Sequence, residues 1–337
     1  MKLLKKIKHQ MFRPITFGFL FIGVLFICLS FSSSKEKIKP LKTIIIDPGH
    51  GGRDIGAPGK FSTESKICLE IGLKLGKSIE QNFPGVTVLY TRTTDIIPGN
   101  VSDKNEGLRN RADFANQSGG DLFISIHVNS APRIAHRVQS GYKYVGKGSK
   151  RKRVPSYRTT YTPNPVKGTE TYIWAADESG SKERHISMSS EDIGGETDST
   201  IVEPDMNDPV MKAMQLLYAK KFFENSLVFA DFIEQEFTRQ GRESRGVKQR
   251  NHRGIWVLHA TGMPSVLVET GFIGTEEEYL NSDLGQDEIV TNVTDALRNY
   301  IGFVEKKPTN NQGGKIPETK MISNSPAINI NKKEVIR

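Results

Sequence analysis

Apolar residues along this chain alternate between short β-branched runs and stretches with a helical period. Thr43-Ile44-Ile45-Ile46 is a buried-strand pattern stopped by the turn residues Asp47-Pro48-Gly49. From Lys66 to Gln81 the residues Ile67, Leu69, Ile71, Leu73, Leu75 and Ile79 mix with Lys and Glu as on an amphipathic helix. Pro84-Gly85 leads into a second strand, Val86 to Tyr90. Gly107 to Gln117 reads as a helix with Leu108, Ala112 and Ala115 turned inward, and Leu122 to Ile126 as a third strand. This βαβαβ order predicts a single α/β domain with an open, largely parallel central sheet and helices on both faces. The rhythm resumes with a strand at Thr169 to Trp174 and a long helix between Pro209 and Arg239. Strands near Gly254 to Leu258 and at Val266 to Glu269 follow, then a last helix from Asp287 to Val304.

Two stretches break the pattern. Residues 130–167 are rich in Arg, Lys, Tyr, Ser and Pro, and residues 177–208 are acidic and rich in Ser and Gly. Both read as insertions into a domain spanning residues 42–305, and loops of that length are commonly functional or disordered. Residues 306–337 lose all periodicity and are expected to form a flexible tail. At the other end, Lys2, Lys5, Lys6, Lys8 and Arg13 precede an apolar run from Ile15 to Phe31 and then Ser32-Ser33-Ser34. Residues 1–34 thus have the order of an export signal, followed by a linker at 35–41. The run is near the lower length limit for spanning a bilayer, so an uncleaved N-terminal membrane anchor is the alternative to a signal peptide.

Composition adds little to the fold but constrains the setting. With Cys28 and Cys68 alone, removal of the signal leaves one thiol, so no internal disulfide holds the core. The formal net charge of +9 suits nucleic acid, an anionic membrane or an anionic wall polymer. Export argues against nucleic acid and places the protein in the periplasm or cell envelope.

The candidate chemistry lies at strand ends. His50 follows the first strand in Asp47-Pro48-Gly49-His50-Gly51-Gly52, His127 directly follows Phe123-Ile124-Ser125-Ile126, and Glu269 closes Val266-Leu267-Val268. In an open α/β sheet ligands bind at the carboxyl ends of strands, so three remote ionisable residues can meet in one cleft. Singly, each residue is unremarkable: a histidine after a strand is usually a turn residue, and a glutamate there usually faces solvent. Their joint placement, taken with the family resemblance that follows, points to a metal.

Five ordered blocks carry a resemblance. They are Ile46 to Gly52, Thr91-Arg92-Thr93-Thr94-Asp95, Ser125-Ile126-His127-Val128-Asn129, Gly168-Thr169-Glu170-Thr171-Tyr172 and Pro264 to Phe272. From about Lys42 to Phe303, insertions excepted, the chain resembles the zinc-dependent N-acetylmuramoyl-L-alanine amidases of the amidase-3 type. The resemblance implies one Zn2+ held by His50, His127 and a glutamate opening the first helix. Glu64 matches that position, with Glu70 the competitor deeper in the helix. It also implies Glu269 as the general base and acid. The bond cut would be the amide between the lactyl group of N-acetylmuramic acid and L-alanine of peptidoglycan, in wall remodelling or daughter-cell separation. Two imidazoles and a carboxylate leave an open fourth position, as hydrolytic zinc sites require.

Other expectations rest on less. Arg92 and Asn129 are candidate substrate contacts, though for these and Arg111 a structural role competes. Glu170 is a candidate for orienting a histidine ring, against a plain strand-edge carboxylate. His252 and His259 read as surface or packing residues. The basic insertion, with Tyr142, Tyr144, Tyr157 and Tyr161, reads as a solvated loop or a substrate-contacting rim. The acidic insertion is either an inert loop or a cover that a protein activator displaces. The competing function, a catalytically silent peptidoglycan-binding module or activator of the same fold, would lack part of the site; here His50, Glu64, His127 and Glu269 are all present.

Overall fold

The structure is a computed structural model describing residues 40–174, 182, 185, 186, 208–249 and 255–306. The expected signal or anchor, most of the acidic insertion, His252 and the tail beyond Lys306 lie outside these residues.

Six strands form the main sheet: β1 (Thr43–Pro48), β2 (Thr87–Tyr90), β3 (Leu122–Asn129), β6 (Thr169–Ile173), β7 (Ser244–Gln249) and β8 (Ser265–Phe272). Among the described residues their order is β2-β1-β3-β8-β6-β7. The first four run parallel. β6 is antiparallel to β8 and parallel to β7, so the sheet is mixed with mostly parallel strands. Between β3 and β6, β4 (Ile134–Val145) and β5 (Lys152–Thr162) pair only with each other, as an antiparallel ribbon.

Helices α1 (Glu64–Asn82), α2 (Lys104–Gln117), α3 (Pro209–Arg239), α4 (Trp256–Ala260), α5 (Ile273–Asn281) and α6 (Asp283–Lys306) complete the described fold. On one sheet face Ile44, Ile46, Ile124 and Val268 pack against Ile67, Ile71 and Leu75 of α1, Phe229 and Ile233 of α3, and Val293 and Leu297 of α6. On the other, Ile45, Phe123 and Leu267 meet Ala115 of α2 and Val257 and Leu258 of α4. The central strands alternate between two buried faces, which is why Ile44-Ile45-Ile46 reads as a continuous apolar run. α1 begins where Thr63 caps it, its hydroxyl accepting from the Lys66 amide at 3.4 Å.

Three expectations are corrected. The strand placed near Gly254 to Leu258 is, over its described part, the short helix α4. Strand β7 was not foreseen, because Ser244-Arg245-Gly246-Val247-Lys248-Gln249 carries one large apolar residue and gains its place by pairing with β6. The basic insertion is a regular two-stranded ribbon rather than an irregular loop. No helix among the described residues is long and apolar enough to cross a membrane.

Candidate metal centre

The carboxyl ends of β1, β3 and β8 open onto one cleft of about 460 Å³, lined by His50, Glu64, His127, Asn129, Trp256 and Glu269. In-register neighbours on adjacent strands share a sheet face. His127 of β3 lies opposite Glu269 of β8, and Glu269 opposite Glu170 of β6, so these three residues form one rung across the sheet.

His50, Glu64 and His127 converge. One ligand atom from each lies within 4.8 Å of the other two. Oε1 of Glu64 is 3.0 Å from Nε2 of His50 and 2.9 Å from Nδ1 of His127. Donors that share an ion at ~2.0–2.2 Å from each must approach one another this closely. The group could hold a metal. Glu70 is remote from it: its carboxylate accepts from Gln286 Nε2 of α6 at 2.9 Å.

Each member is held by a specific local structure. His50 sits at φ 61°, a conformation uncommon outside glycine, in the turn that ends β1. Its Nδ1 is 2.9 Å from Oδ2 of Asp54, which directs Nε2 toward Glu64, and Lys104 Nζ donates to the other Asp54 oxygen at 3.1 Å. Glu64, in the first turn of α1, accepts from the Ala57 amide at 2.8 Å and the Val128 amide at 3.3 Å. Two glycines make room. A Cβ at Gly49 would lie 2.4 Å from Nε2 of His127, and one at Gly56 would lie 2.6 Å from Oε2 of Glu64. The neighbours of the site are thus pressed against bare backbone.

The electrostatics favour ligation. Burial strips the proton from His127, holding its pKa below the usual 6.5 despite Glu64, so the ring is a neutral donor. For His50 burial works the same way, but hydrogen bonds and charge from Asp54 and Glu64 outweigh it and raise the pKa to about 9. Burial would raise Glu64, yet the two imidazoles hold it well below the usual carboxylate range. A cation in place of the His50 proton would satisfy the same carboxylates.

Beneath the cleft two buried arginines brace the β1 turn. Arg92 donates from Nε to the Pro48 carbonyl at 2.9 Å, and from Nη2 to the carbonyls of Gly49 at 2.7 Å and Ser65 at 2.8 Å. Its Nη1 donates to the Thr94 carbonyl at 3.1 Å. Expected as a substrate contact, Arg92 is 2% exposed and ties the turn to the start of α1 instead. Arg111 donates to Asp47 and to the His50 carbonyl. Asp47, fully enclosed, also accepts from Thr91 Oγ1 at 2.6 Å and Ser125 Oγ at 2.7 Å. Burial opposes ionisation there, but the Arg111 charge and these bonds hold its pKa low.

On the far side Glu170 is also reassigned. Its carboxylate takes bonds from Arg245, Lys248, Tyr172 and Asn129, and it hydrogen-bonds no histidine among the described residues. It anchors Asn129 at the cleft rim through a 3.0 Å bond. His259 lies in α4 against Trp256, ring centroids 6.3 Å apart. The sequence reading missed Asp54, although a carboxylate four residues after His50 was a usable signal. It also missed Arg245 and Lys248, which came with the unforeseen β7.

The family model for Amidase-3, N-acetylmuramoyl-L-alanine amidase, matches residues 44–299. An uncharacterized cell wall amidase of Bacillus anthracis is 39% identical over 238 residues, which is 70% of this chain and 31% of that protein. The germination-specific N-acetylmuramoyl-L-alanine amidase of Bacillus subtilis is 33% identical over 149 residues, 41% of this chain and 62% of that one. This chain therefore spans less than two-thirds of the length of either relative. The solved CwlD amidase from Clostridioides difficile, in complex with the GerS lipoprotein, is 24% identical. It aligns at a TM-score of 0.48 over 78% of this chain and 99% of its own.

Proposed function

The chain belongs to the Amidase-3 family of N-acetylmuramoyl-L-alanine amidases, and from that premise we propose that it is a zinc-dependent hydrolase of the lactyl–L-alanine amide in peptidoglycan. The observation that carries the reading is the approach of His50, Glu64 and His127 to within 4.8 Å at the floor of a cleft that Glu269 also lines. Two imidazoles and one carboxylate are the donor set of hydrolytic zinc sites, and bound zinc would polarise the scissile carbonyl and acidify water.

The chain's own residues do the rest. Glu269, on the same rung as His127, takes a proton from the attacking water and delivers it to the leaving nitrogen. Water oxygen bonds to the lactyl carbonyl carbon, the C–N bond breaks, and the products are a lactyl carboxylate and the L-alanine amine. Asp54 orients His50, and the Gly49 and Gly56 backbone lets the ligands close on one another. We assign Asn129, fixed by Glu170 at the rim, to substrate contact.

The basic n-region and apolar run of residues 1–34 support export to the cell envelope, by a cleaved signal or a retained anchor, and a role in wall remodelling. An activator acting on residues 177–208 is the partner we propose; deletion of 179–208 should then raise activity, and no gain would remove that idea. The deciding experiment for the activity is digestion of purified sacculi by the zinc-loaded protein, followed by mass spectrometry. New L-alanine amino termini on intact stem peptides are expected, and their loss in Glu269→Gln with zinc still bound. Cleavage within the stem peptide, or no cleavage at all, would refute the assignment.

A further inference from the structure

The β4–β5 ribbon holds a disproportionate share of the chain's charge. Between Ser130 and Lys167 there are ten Lys and Arg and no Asp or Glu, while the whole chain carries +9; without this segment its formal charge would be −1. A ribbon of this kind has no buried face to justify its length. Most of its side chains are exposed, including Tyr142 at 54%, Tyr144 at 60%, Tyr157 at 47% and Tyr161 at 56%.

The register sorts the side chains by face. Opposed pairs share a face and successive residues alternate, with a shift between Gln139 and Gly141. Tyr144 opposite Arg153, Tyr142 opposite Pro155, Gln139 opposite Tyr157, Arg137 opposite Thr159 and Ala135 opposite Tyr161 fall on one side. All four tyrosines are there. On the other side lie Lys143, Lys152 and Arg158 among Val138, Val145 and Val154. Three of the arginines lie over phenol rings: the Cζ of Arg153 is 3.8 Å from the Tyr142 centroid, that of Arg137 is 4.2 Å from Tyr157, and that of Arg151 is 4.6 Å from Tyr144. A guanidinium held over a ring in this way retains N–H donors that can pair with a carboxylate.

The ribbon departs from the cleft and returns into the strand that pairs with Glu269. β3 reaches it through His127, Asn129 and Ser130, which line the opening. The chain returns through Val166, whose carbonyl accepts from Thr275 Oγ1, and Gly168, whose amide donates to Glu276 at 2.9 Å, into β6 and Glu170. At ~3.3 Å per residue the ribbon extends roughly 35 Å from that root.

Resting on the amidase reading, we propose that the tyrosine–arginine face binds the reaction's own polymeric product, a glycan strand stripped of peptides. Each cut converts a neutral lactyl amide into a carboxylate that stays on the sugar, so the strand alternates pyranose rings with new negative charges. Phenol rings take the apolar faces of sugars, and the stacked arginines take the carboxylates. A strand held there keeps its uncut neighbours at high effective concentration beside the cleft. The two components, aromatic and guanidinium, fit this product better than a polymer offering charge alone.

The test uses the full-length zinc-loaded protein and four probes: peptide-free glycan strands, neutral N-acetylglucosamine oligomers, poly(glycerol phosphate), and vesicles of anionic lipid. Wild type should retain peptide-free glycan at least tenfold more tightly than each of the other three. Tyr142→Ala with Tyr157→Ala, and separately Arg137→Gln with Arg153→Gln, should each weaken glycan binding by about tenfold, the scale of two lost ring or ion contacts. Their cleavage of a soluble muramoyl-peptide fragment should match wild type, whereas their kcat/KM on intact sacculi should fall. Equal or tighter binding of poly(glycerol phosphate) or vesicles, or no effect of the tyrosine pair, would overturn the proposal. Failure of the amidase assignment would be seen separately, in wild-type protein inert toward the soluble fragment.

Discussion

Replacing Gly49 with alanine is the sharpest probe of the centre, because the structure supplies the size of the disturbance. The new methyl carbon would stand 2.4, 2.5 and 2.8 Å from Nε2, Cε1 and Cδ2 of His127, against an ordinary contact that begins at 3.4 Å. Something must therefore shift by about 1 Å. The backbone cannot retreat freely: the Gly49 amide donates to the Ile126 carbonyl at 2.9 Å, and its carbonyl accepts from Arg92 at 2.7 Å. The ring is then what moves, out of its present alignment with Glu64. A displacement of ~1 Å at a reacting centre costs about 100-fold in rate. Overpacking should cost about 1–3 kcal/mol in stability. Zinc affinity, read by competition with a chromophoric chelator, should fall about 10–100-fold, as when support for a ligand is lost. Gly274→Ala is the control, since nothing lies within 4 Å of its added methyl group. Wild-type zinc affinity and activity in Gly49→Ala, with the fold intact, would refute the placement of His127 as a ligand.

Other outcomes follow from the same geometry. Asp54→Ala releases the ring of His50 and should weaken zinc binding about 10–100-fold while leaving the fold intact; an unchanged zinc titration would remove Asp54 from the site. Arg92→Ala leaves several carbonyls beneath the turn without their donor and should cost about 2–4 kcal/mol in urea unfolding, with Arg92→Lys recovering little because it cannot fork. In chelated protein, His50 has a folded pKa of about 9 against 6.5 unfolded, so its stabilising contribution is complete below pH 6.5 and lost as pH rises toward 9. His127, shifted downward, adds no slope above 6.5, whereas buried Lys182, also shifted downward, acts in the opposite sense. The readout is thus the stability of wild type minus that of His50→Ala, which should shrink by on the order of 2–3 kcal/mol across that window; a constant difference would contradict the proposed hydrogen bonds.

The sheet was legible where one residue type decided the outcome. Three isoleucines in a row cannot be placed except between two apolar layers, and the 3.6-residue period of Ile67, Ile71 and Leu75 fixed the face of α1. β7 was illegible because its lone Val247 gives no period; its pairing with β6 is a tertiary fact. The same applies to residues 255–260, where an apolar pentapeptide fits strand or helix equally and packing beneath β8 selects the helix. At the centre, the histidines were visible from their positions after strands. The use of Arg92 was not, since a guanidinium facing substrate and one capping four carbonyls look identical in sequence. Faces of the ribbon likewise depend on a register shift that no local pattern announces.

His127 and Glu269 occupy one rung of a parallel ladder, so their spacing is set by interstrand hydrogen bonds near the ~4.8 Å repeat of any sheet. Such a distance is inherited from the scaffold rather than tuned by loops. Segments entering at the rim can therefore lengthen, shorten or exchange over generations without detuning the proton transfer, which leaves the surroundings of the cleft open to diversify for different walls.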